Sequence, residues 1–231
     1  MNYKDWESHY KKILKDFDFS MEKDIESAKN LDEFLQCRNE LDIDSVKKFI
    51  EDAEVVVFGA GPSLEKTICK HIDFLVDKIL IAADGTTSAL FEKCLLPDII
   101  VTDLDGKIED QIKANKAGSV LIVHAHGDNI ETIKKHFFQL DERIIGSTQT
   151  DPSQFKNLYN FGGFTDGDRA IFLAEHFDAK KIYLVGFDFN GEIGKYSFPK
   201  GKDKKLKLKK LKWCETFINH LKNKHKNIEH L

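Results

Sequence analysis

The chain has 231 residues, of which 41% are hydrophobic and 32% charged, and its formal net charge is −4. This balance supplies a buried core, excludes a disordered chain, and argues against a nucleic-acid partner. Because no run approaches the roughly 20 apolar residues of a membrane helix, and the charged N-terminus lacks the apolar centre of a signal peptide, we expect a cytoplasmic protein with no membrane partner.

Residues 1–52 have the periodicity of helices. Apolar residues recur at helical spacing in two stretches, Trp6, Tyr10, Ile13, Leu14 and Phe17, then Ile25, Ala28, Leu31 and Leu35. Asn30 followed by Glu33 resembles a capping box that opens a new helical turn. A third short helix is expected to turn Val46, Phe49 and Ile50 inward. Nothing in this helical N-terminal segment suggests chemistry, so we expect it to pack on the following domain or to form a homodimer contact.

Residues 53–231 alternate between short apolar runs and amphipathic stretches. The runs predict strands at Val55–Phe58, Ile79–Ala83, Asp98–Val101, Ser119–Val123, Arg143–Ile145 and Lys181–Val185. Helices are predicted between them at Leu64–Val76, Thr86–Cys94, Ile108–Lys116 and Ile130–Phe137. Strands that are apolar on both faces and separated by helices predict an α/β catalytic domain, with a mostly parallel, Rossmann-like sheet covered by helices on both faces.

The chain ends in a lysine-rich segment that continues into a helix. The lysines are Lys200, Lys202, Lys204, Lys205, Lys207, Lys209, Lys210 and Lys212, and the apolar face carries Leu211, Cys214, Phe217 or Ile218, and Leu221. A solvated helix face is the favoured interpretation, and a mobile basic lid that closes on phosphates is the alternative. A nucleic-acid-binding stripe is disfavoured because no aromatic residue interleaves the lysines.

Polar and glycine-rich clusters follow nearly every predicted strand. They occupy residues 59–63, 84–87, 102–106, 124–129, 147–148 and 186–188. In open parallel sheets ligands bind outside the carboxyl ends of the strands. The simplest explanation is therefore one shared site that binds small molecules.

The first cluster, Gly59-Ala60-Gly61-Pro62-Ser63, is a strand-to-helix turn. Its glycines would let the backbone approach a ligand, and the next helix offers free N–H groups to a phosphate. It lacks the third glycine of the dinucleotide fingerprint and the Gly-Lys-Ser/Thr of a P-loop, so an ordinary tight turn is the alternative. The nucleotide-binding candidates are Gly59, Gly61, Pro62 and Ser63, with Asp84, Gly85 and Thr86 from the second cluster.

Four aspartates, Asp84, Asp103, Asp105 and Asp128, are predicted at neighbouring strand ends. Two carboxylates about 4 Å apart repel by roughly 4 kcal/mol at an effective dielectric near 20, so a proton or a cation must lie between them. Oxygen ligands suit Mg²⁺, which joins one or two carboxylates to substrate phosphates. We therefore predict all four as Mg²⁺ ligands and Asp103, Asp105 and Asp128 as catalytic, while for any single one a helix cap or turn role is the alternative.

Two further groups are candidates for substrate binding. His124 and His126 alternate on the chain, and a hydrogen-bonding or structural role is favoured over a transition-metal site because no other histidine-rich strand end completes a ligand set. Gly162 and Gly163 precede a helix that Thr165 or Asp166 is expected to cap, with Arg169 in its first turn. The substrate-binding candidates are His126, Thr165, Asp166, Arg169 and Asp188.

In this order the motifs resemble the archaeal 6-hydroxymethyl-7,8-dihydropterin pyrophosphokinases, the MptE-like family. The resemblance rests on Gly59-Ala60-Gly61-Pro62-Ser63-Leu64, Ala83-Asp84-Gly85-Thr86-Thr87, the segment from Pro97 to Gly106, His124-Ala125-His126-Gly127-Asp128-Asn129, and the segment from Gly163 to Ala170. It implies transfer of diphosphate from ATP to the hydroxymethyl group of a reduced pterin, with release of AMP. It also implies that the four aspartates hold Mg²⁺ against the triphosphate, that the glycine turn and Ser63 cradle phosphates or the nucleoside, and that Thr165, Asp166 and Arg169 contact pterin or phosphate.

Other resemblances give the alternatives. Ala83-Asp84-Gly85 and Thr102-Asp103-Leu104-Asp105 are similar to motifs of thiamine pyrophosphokinases, although Gly106 stands where those enzymes usually have serine. Bacterial motility-associated glycosyltransferases share the Gly-x-Gly-Pro-Ser-Leu turn, but they are larger than this chain.

Residues 99–106 also resemble the nucleophile strand of haloacid-dehalogenase-type phosphatases, with Asp103 as nucleophile and Asp105 as acid/base. That interpretation leaves the glycine turn and Asp84 unexplained, and Lys107 stands where threonine is usual. A non-catalytic nucleotide-binding module is the remaining alternative.

Overall fold

The strands of the central sheet are buried on both faces, and successive residues point to opposite layers of helices. In the first strand Val55 and Val57 belong to one core and Val56 and Phe58 to the other. This alternation follows from the period of two along a β-strand. The structure, a computed structural model, describes residues 3–38, 41–127, 129–197 and 204–231.

All strand pairs in the described part of the chain are parallel. The strands are β1 (Glu54–Phe58), β2 (Ile79–Ala83), β3 (Ile99–Thr102), β4 (Val120–Ala125), β5 (Ile144–Thr148), β6 (Leu158–Tyr159), β7 (Lys181–Val185) and β8 (Ile228–His230). They form one sheet in the order β6-β5-β4-β3-β2-β1-β7-β8. The predicted α/β class with a parallel sheet is confirmed.

Helices cover both faces of the sheet. They are α1 (Tyr3–Phe17), α2 (Met21–Gln36), α3 (Ile43–Ile50), α4 (Leu64–Lys70), α5 (Ile72–Leu75), α6 (Thr86–Phe91), α7 (Ile108–Lys116), α8 (Ile130–His136), α9 (Asp166–His176) and α10 (Lys204–Lys224). Buried residues of α1, α3, α9 and α10 share one core, and those of α2, α4, α6, α7 and α8 share the other. No helix of the described residues is long and apolar enough to cross a membrane.

The N-terminal helices do not lie together on one side. Trp6 and Tyr10 of α1 are buried in the core shared with α9 and α10, whereas Leu31 and Leu35 of α2 are buried in the opposite core. The chain passes from one helix layer to the other at residues 18–20, which connect α1 to α2. This short connection therefore lies at the boundary between the two helix layers.

Two predictions for the N-terminal helices are wrong. Helix α2 is continuous through Asn30, whose amide donates to the Glu26 carbonyl at 2.8 Å. The cap is Ser20, whose hydroxyl oxygen accepts from the Lys23 backbone N–H at 3.3 Å. In α3, Val46 and Ile50 are buried as expected, but Phe49 is 38% exposed and lies 5.9 Å from the Arg143 guanidinium.

The α/β part differs from the prediction mainly in element ends. The single helix predicted at 64–76 is two helices, α4 and α5, because the His71 backbone leaves helical geometry at φ −115° and ψ 20°. Strands β4 and β5 extend further than predicted and include His124, Ser147 and Thr148. The two strands that were not predicted, β6 and β8, are only two and three residues long and lie at the edges, where no alternation pattern can develop.

Candidate active site

The carboxyl ends of five neighbouring strands, in the order β7-β1-β2-β3-β4, open onto one cleft. Its volume is about 970 Å³. Among its lining residues are the sequence-predicted Gly59, Gly61, Asp84, Gly85, Asp103, Asp105, His126, Thr165, Asp166, Arg169 and Asp188. Candidates that are far apart in sequence thus share one cavity.

The remaining candidates lie elsewhere. Pro62 is exposed, and it does not line the cleft. The Ser63 backbone N–H and hydroxyl both donate to Asp188 Oδ2 at 2.8 Å, so Ser63 holds the carboxylate of Asp188 in place. Thr86 is fully buried, and its hydroxyl donates to the Phe58 carbonyl at 3.3 Å. Asp128 lies outside the residues that the structure describes.

The glycine turn after β1 packs against the segment after β7. The Gly61 N–H donates to the Gly186 carbonyl at 2.8 Å, and a Cβ at Gly61 would lie 2.4 Å from Asp188 Oδ2. A side chain at Gly61 is therefore excluded by protein packing, whether or not a ligand is bound. Gly59 and Gly61 nevertheless line the cleft beside this contact, so the turn presents backbone atoms to the cavity.

Asp84 lies at the end of β2 with a left-handed backbone (φ 42°), a conformation that aspartate tolerates better than most residues. Its Oδ1 lies 2.9 Å from the Thr102 hydroxyl and accepts from the Gln111 amide at 2.7 Å. Burial raises the pKa of Asp84 well above its usual value, and the charges of Asp103 and Asp166 raise it further. The carboxylate is thus fixed in place and is costly to ionise without a nearby cation.

Asp103 lies just after β3, and its two carboxylate oxygens have different surroundings. Oδ2 is 3.1 Å from His126 Nε2, whereas Oδ1 is buried without a hydrogen-bond partner in the described part of the chain. Burial acts to raise the pKa of Asp103, but the hydrogen bond and charge of His126, with the charges of Arg169 and Lys210, outweigh it and hold the pKa below its usual range. Asp103 therefore stays ionised while Asp84, at the neighbouring strand end, resists ionisation.

The other predicted metal ligand in the described chain is Asp105. Its Oδ1 accepts from the Gly106 backbone N–H at 2.6 Å, and its carbonyl accepts from the Gln111 amide at 2.9 Å. Gln111 thus connects Asp105 to Asp84 across the cleft wall. Among the described residues, no three histidine, cysteine or acidic side chains are grouped closely enough to hold a metal ion.

The residues present nevertheless fit a divalent cation. Oδ1 of Asp103 is a buried anionic atom to which no described residue donates, and the charge of Asp103 opposes ionisation of Asp84. A cation would satisfy the first and relieve the second. Carboxylate oxygens that face a cavity are ligands that suit Mg²⁺.

The start of α9 forms the opposite wall of the cleft, and of the two predicted caps, Thr165 and Asp166, Thr165 is the one observed. Thr165 and Asp168 form a capping box. Asp166 pairs with Arg169 at 3.0 Å. Burial raises the pKa of Asp166 to about 7, with a further contribution from the charge of Asp103. Gly163 has φ 88° and a Cβ there would lie 2.7 Å from the Arg169 backbone, so only glycine lets the chain approach the helix this closely.

His124 and His126 have different environments. His126 lies in the cleft against Asp103, whereas His124 is inside β4, buried, with Nδ1 3.0 Å from the Ser147 hydroxyl. Burial lowers the pKa of His124 well below its usual value, and the charge of Arg169 lowers it further. His124 is therefore a neutral residue of the sheet layer behind the cleft.

The cleft also includes residues that were not among the predicted site residues. From the N-terminal helices these are Asp18, Phe19, Ser20, Lys23 and Asp24, and from α10 they are Lys207, Lys210, Leu211 and Cys214. The N-terminal segment packs on the sheet as expected, and its α1–α2 connection also forms part of the cavity wall. No motif marks the residues of the N-terminal segment, because they reach the cleft through the packing of the helix layers, whereas Lys207 and Lys210 belong to the lysine-rich segment for which a basic lid was the alternative interpretation.

Fold and cleft together define an α/β protein with a carboxylate-lined ligand site at the carboxyl edge of a parallel sheet. The profile of the family described as 6-hydroxymethylpterin diphosphokinase MptE-like matches residues 26–193. A Methanocaldococcus jannaschii protein named 6-hydroxymethyl-7,8-dihydropterin pyrophosphokinase is 45% identical over 97% of both chains. Proteins of the same name from Pyrococcus furiosus and Methanothermobacter thermautotrophicus are 44% and 43% identical, over 96% and 94% of this chain and 95% and 93% of theirs. The chain belongs to the MptE-like 6-hydroxymethylpterin diphosphokinase family, and the resemblance found in the sequence is confirmed.

Proposed function

We propose that this chain transfers diphosphate from ATP to the hydroxymethyl group of 6-hydroxymethyl-7,8-dihydropterin and releases AMP. The family and the names of the relatives support this acceptor and this reaction. The structural observation that carries the proposal is the pair of carboxylates at adjacent strand ends, Asp84 and Asp103, within a cavity large enough for two small molecules. A cytoplasmic location and a homodimer stay predictions.

The strand order suggests how the substrates lie along the sheet edge. The glycine turn at β1 takes the nucleoside, the carboxylates at β2 and β3 face the phosphates, and His126 and the start of α9 face the acceptor. Phosphates next to carboxylates require a cation between them. Asp84 and Asp103 would hold Mg²⁺ against the phosphates, with Asp105 and Asp128 as further ligands predicted from the sequence, and the ion would neutralise charge on the phosphate oxygens.

The transfer itself is an in-line displacement at the β-phosphorus. The pterin alcohol oxygen forms a bond to that phosphorus, the bond to the α–β bridging oxygen breaks, and AMP leaves with the bridging oxygen. Positioning and electrostatics supply most of the catalysis in such transfers. Asp166, with a pKa raised to about 7 by burial and by Asp103, takes up the alcohol proton, because a base titrating near the working pH is the most effective one.

The test is to incubate the protein with ATP, Mg²⁺ and a panel of pterin and thiamine alcohols and to measure AMP by chromatography. We expect AMP only when the pterin alcohol and Mg²⁺ are both present. AMP formation with thiamine in place of the pterin would move the assignment to a thiamine-type enzyme. Steady phosphate release from a generic phosphate ester without ATP would support the phosphatase alternative instead.

A further inference from the structure

The lysine-rich helix α10 contributes two of its lysines to the cleft. Its buried face carries Cys214, Phe217, Ile218 and Leu221, and this face packs in the core next to α9. Lys207 and Lys210 line the cavity, while Lys212 on the same helix is exposed and does not. The helix thus forms one wall of the site, with Lys207 and Lys210 at the cavity and Lys212 facing away from it.

The position of Lys210 is set by contacts on both sides. Its ammonium lies 5.7 Å from the ring centroids of Phe19 and of Phe164, both of which line the cleft. One residue earlier, Lys209 pairs with Asp16 of α1 at 2.8 Å, and the Trp213 indole donates to the same carboxylate at 2.7 Å. These contacts dock α10 on α1 and hold Lys210 at the cavity.

Lys210 lines the same cleft as Asp103, at the carboxyl edge of the sheet. The carboxyl edge carries several acidic groups, and Arg169 on the far wall is already paired with Asp166 at 3.0 Å. A triphosphate bound here needs positive charge beyond one divalent cation. Phosphoryl-transfer sites commonly supply it with a lysine that contacts the terminal phosphates.

We propose that Lys210 binds the oxygens of the diphosphate group that is transferred, supported by Lys207 one turn earlier on the same helix. This inference rests on the proposed function. If the nucleoside lies at β1, then the β- and γ-phosphates extend towards β3, where Asp103 follows the strand in the cleft that Lys210 also lines. Lys210 therefore recognises the part of ATP that AMP lacks.

The experiment compares the affinities of ATP and AMP in the presence of Mg²⁺ and without acceptor, by calorimetry, for wild type, Lys210→Gln, Lys210→Arg and Lys212→Gln. A charge-assisted hydrogen bond contributes enough that Lys210→Gln should weaken ATP binding by about 10- to 100-fold. AMP binding should not change, Lys210→Arg should recover most of the ATP affinity, and Lys212→Gln should behave as wild type. Melting curves verify that each variant is folded.

Equal losses of ATP and AMP affinity in Lys210→Gln would show a structural role and overturn the inference, as would an unchanged ATP affinity. If Lys210→Gln loses only ATP affinity but no pterin-dependent AMP forms in wild type, the phosphate contact stands and the proposed function fails. Wild-type protein that binds neither nucleotide would contradict both.

Discussion

The carboxylate of Asp103 has a hydrogen bond at one oxygen, while its other oxygen is buried and has no partner among residues 3–38, 41–127, 129–197 and 204–231. Its charge raises the pKa of both Asp84 and Asp166. Such an arrangement costs stability in the ligand-free protein and is typical of sites where a bound cation or phosphate completes the charge balance. At the scale of single residues, the site is therefore organised around one ionised group and two neighbours that resist ionisation.

Replacing Asp103 by asparagine should strongly lower activity without unfolding the protein. The substitution keeps the volume but removes the charge, and losing one electrostatic contact of this kind costs roughly 100- to 1,000-fold in kcat. Melting curves verify that the variant is folded. Asp73→Asn, on the exposed side of α5, is the matched control and should leave kcat unchanged. An Asp103→Asn enzyme of normal kcat would remove Asp103 from the mechanism.

The raised pKa of Asp166 predicts a pH dependence of stability. A carboxyl whose folded pKa lies near 7, above its unfolded value, binds more protons in the native state, so its contribution to stability is lost as pH rises through about 7. In the presence of a chelator, the melting temperature should therefore fall between pH 6 and pH 8 by more in wild type than in Asp166→Asn. The lowered pKa of Asp103 does not change the stability between pH 6 and pH 8, because the contribution of this carboxylate is lost only when it is protonated in acid.

The same melting experiments test whether these carboxylates bind Mg²⁺. Mg²⁺ binds ionised carboxylates, so it should raise the melting temperature of wild type more at pH 8 than at pH 6. Identical pH profiles for wild type and Asp166→Asn would contradict the assigned titration, and a Mg²⁺ effect that is independent of pH would contradict cation binding by these groups.

At the scale of elements, α2 supports the site from outside the sheet. Asp24 of α2 is buried and accepts three hydrogen bonds, from the Gly127 backbone N–H at 2.7 Å, the Tyr10 hydroxyl at 2.6 Å and the Gln149 amide at 2.8 Å. Gly127 directly follows His126, the partner of Asp103. The helix thus fixes the loop that carries His126.

A pair of variants on α2 separates this role from general stabilisation. Asp32 is also buried and accepts from two backbone N–H groups, of Lys156 and Asn157, but it does not line the cleft. Leaving buried donors unsatisfied costs about 1–3 kcal/mol each, so Asp24→Ala and Asp32→Ala should both lower the free energy of unfolding. Only Asp24→Ala should also lower kcat/KM, measured where both variants are folded. Equal kinetic effects would mean that α2 acts through stability alone.

The helices and strands show which features can be predicted from one sequence because they depend only on residues close to each other in the chain. The cap at Thr165 and the strands β2 and β7 were predicted at their observed positions, because side-chain chemistry and apolar runs act over a few residues. The start of α2 was missed, since Ser20 and Asn30 are equally good caps by type and only packing selects Ser20. The edge strands β6 and β8 form through pairing with β5 and β7, which no local pattern announces.

At the scale of the whole molecule, residues 1–52 are part of the core. Fully buried side chains of α1, α2 and α3 contact both faces of the sheet, among them Trp6, Tyr10, Leu31, Val46 and Ile50. Burying one such side chain contributes about 1.5–3 kcal/mol, so five of them match the roughly 5–15 kcal/mol stability of a typical domain.

A chain of residues 53–231 should therefore not fold cooperatively on its own. We expect its thermal unfolding, followed by circular dichroism, to lack a sharp transition, and its exposed core to bind a hydrophobic dye. Adding residues 1–52 as a separate chain should restore part of the transition. A wild-type melting curve for the shortened chain would contradict this view of the core.

The site was predictable to the extent that topology determines it. Parallel strands bring their carboxyl ends to one edge, so Asp84, Asp103 and Asp105 could be placed together from the strand pattern alone. Phe19 and Asp24 could not, because they reach the cleft through helix packing, which depends on side chains distant in sequence. Lys210 belongs to the lysine-rich segment, for which contact with phosphates was the alternative interpretation. Ser63 illustrates the converse, since its position in the turn suggested a phosphate contact whereas its hydroxyl holds Asp188.

We propose that the carboxylates at the ends of β2 and β3, Asp84 and Asp103, direct attack to the β-phosphorus of ATP. The most direct measurement is phosphorus NMR of the products formed from ATP, Mg²⁺ and 6-hydroxymethyl-7,8-dihydropterin. Attack at the β-phosphorus predicts AMP and a pterin diphosphate in equal amounts. ADP with a pterin monophosphate, or inorganic phosphate that forms without the pterin, would contradict it.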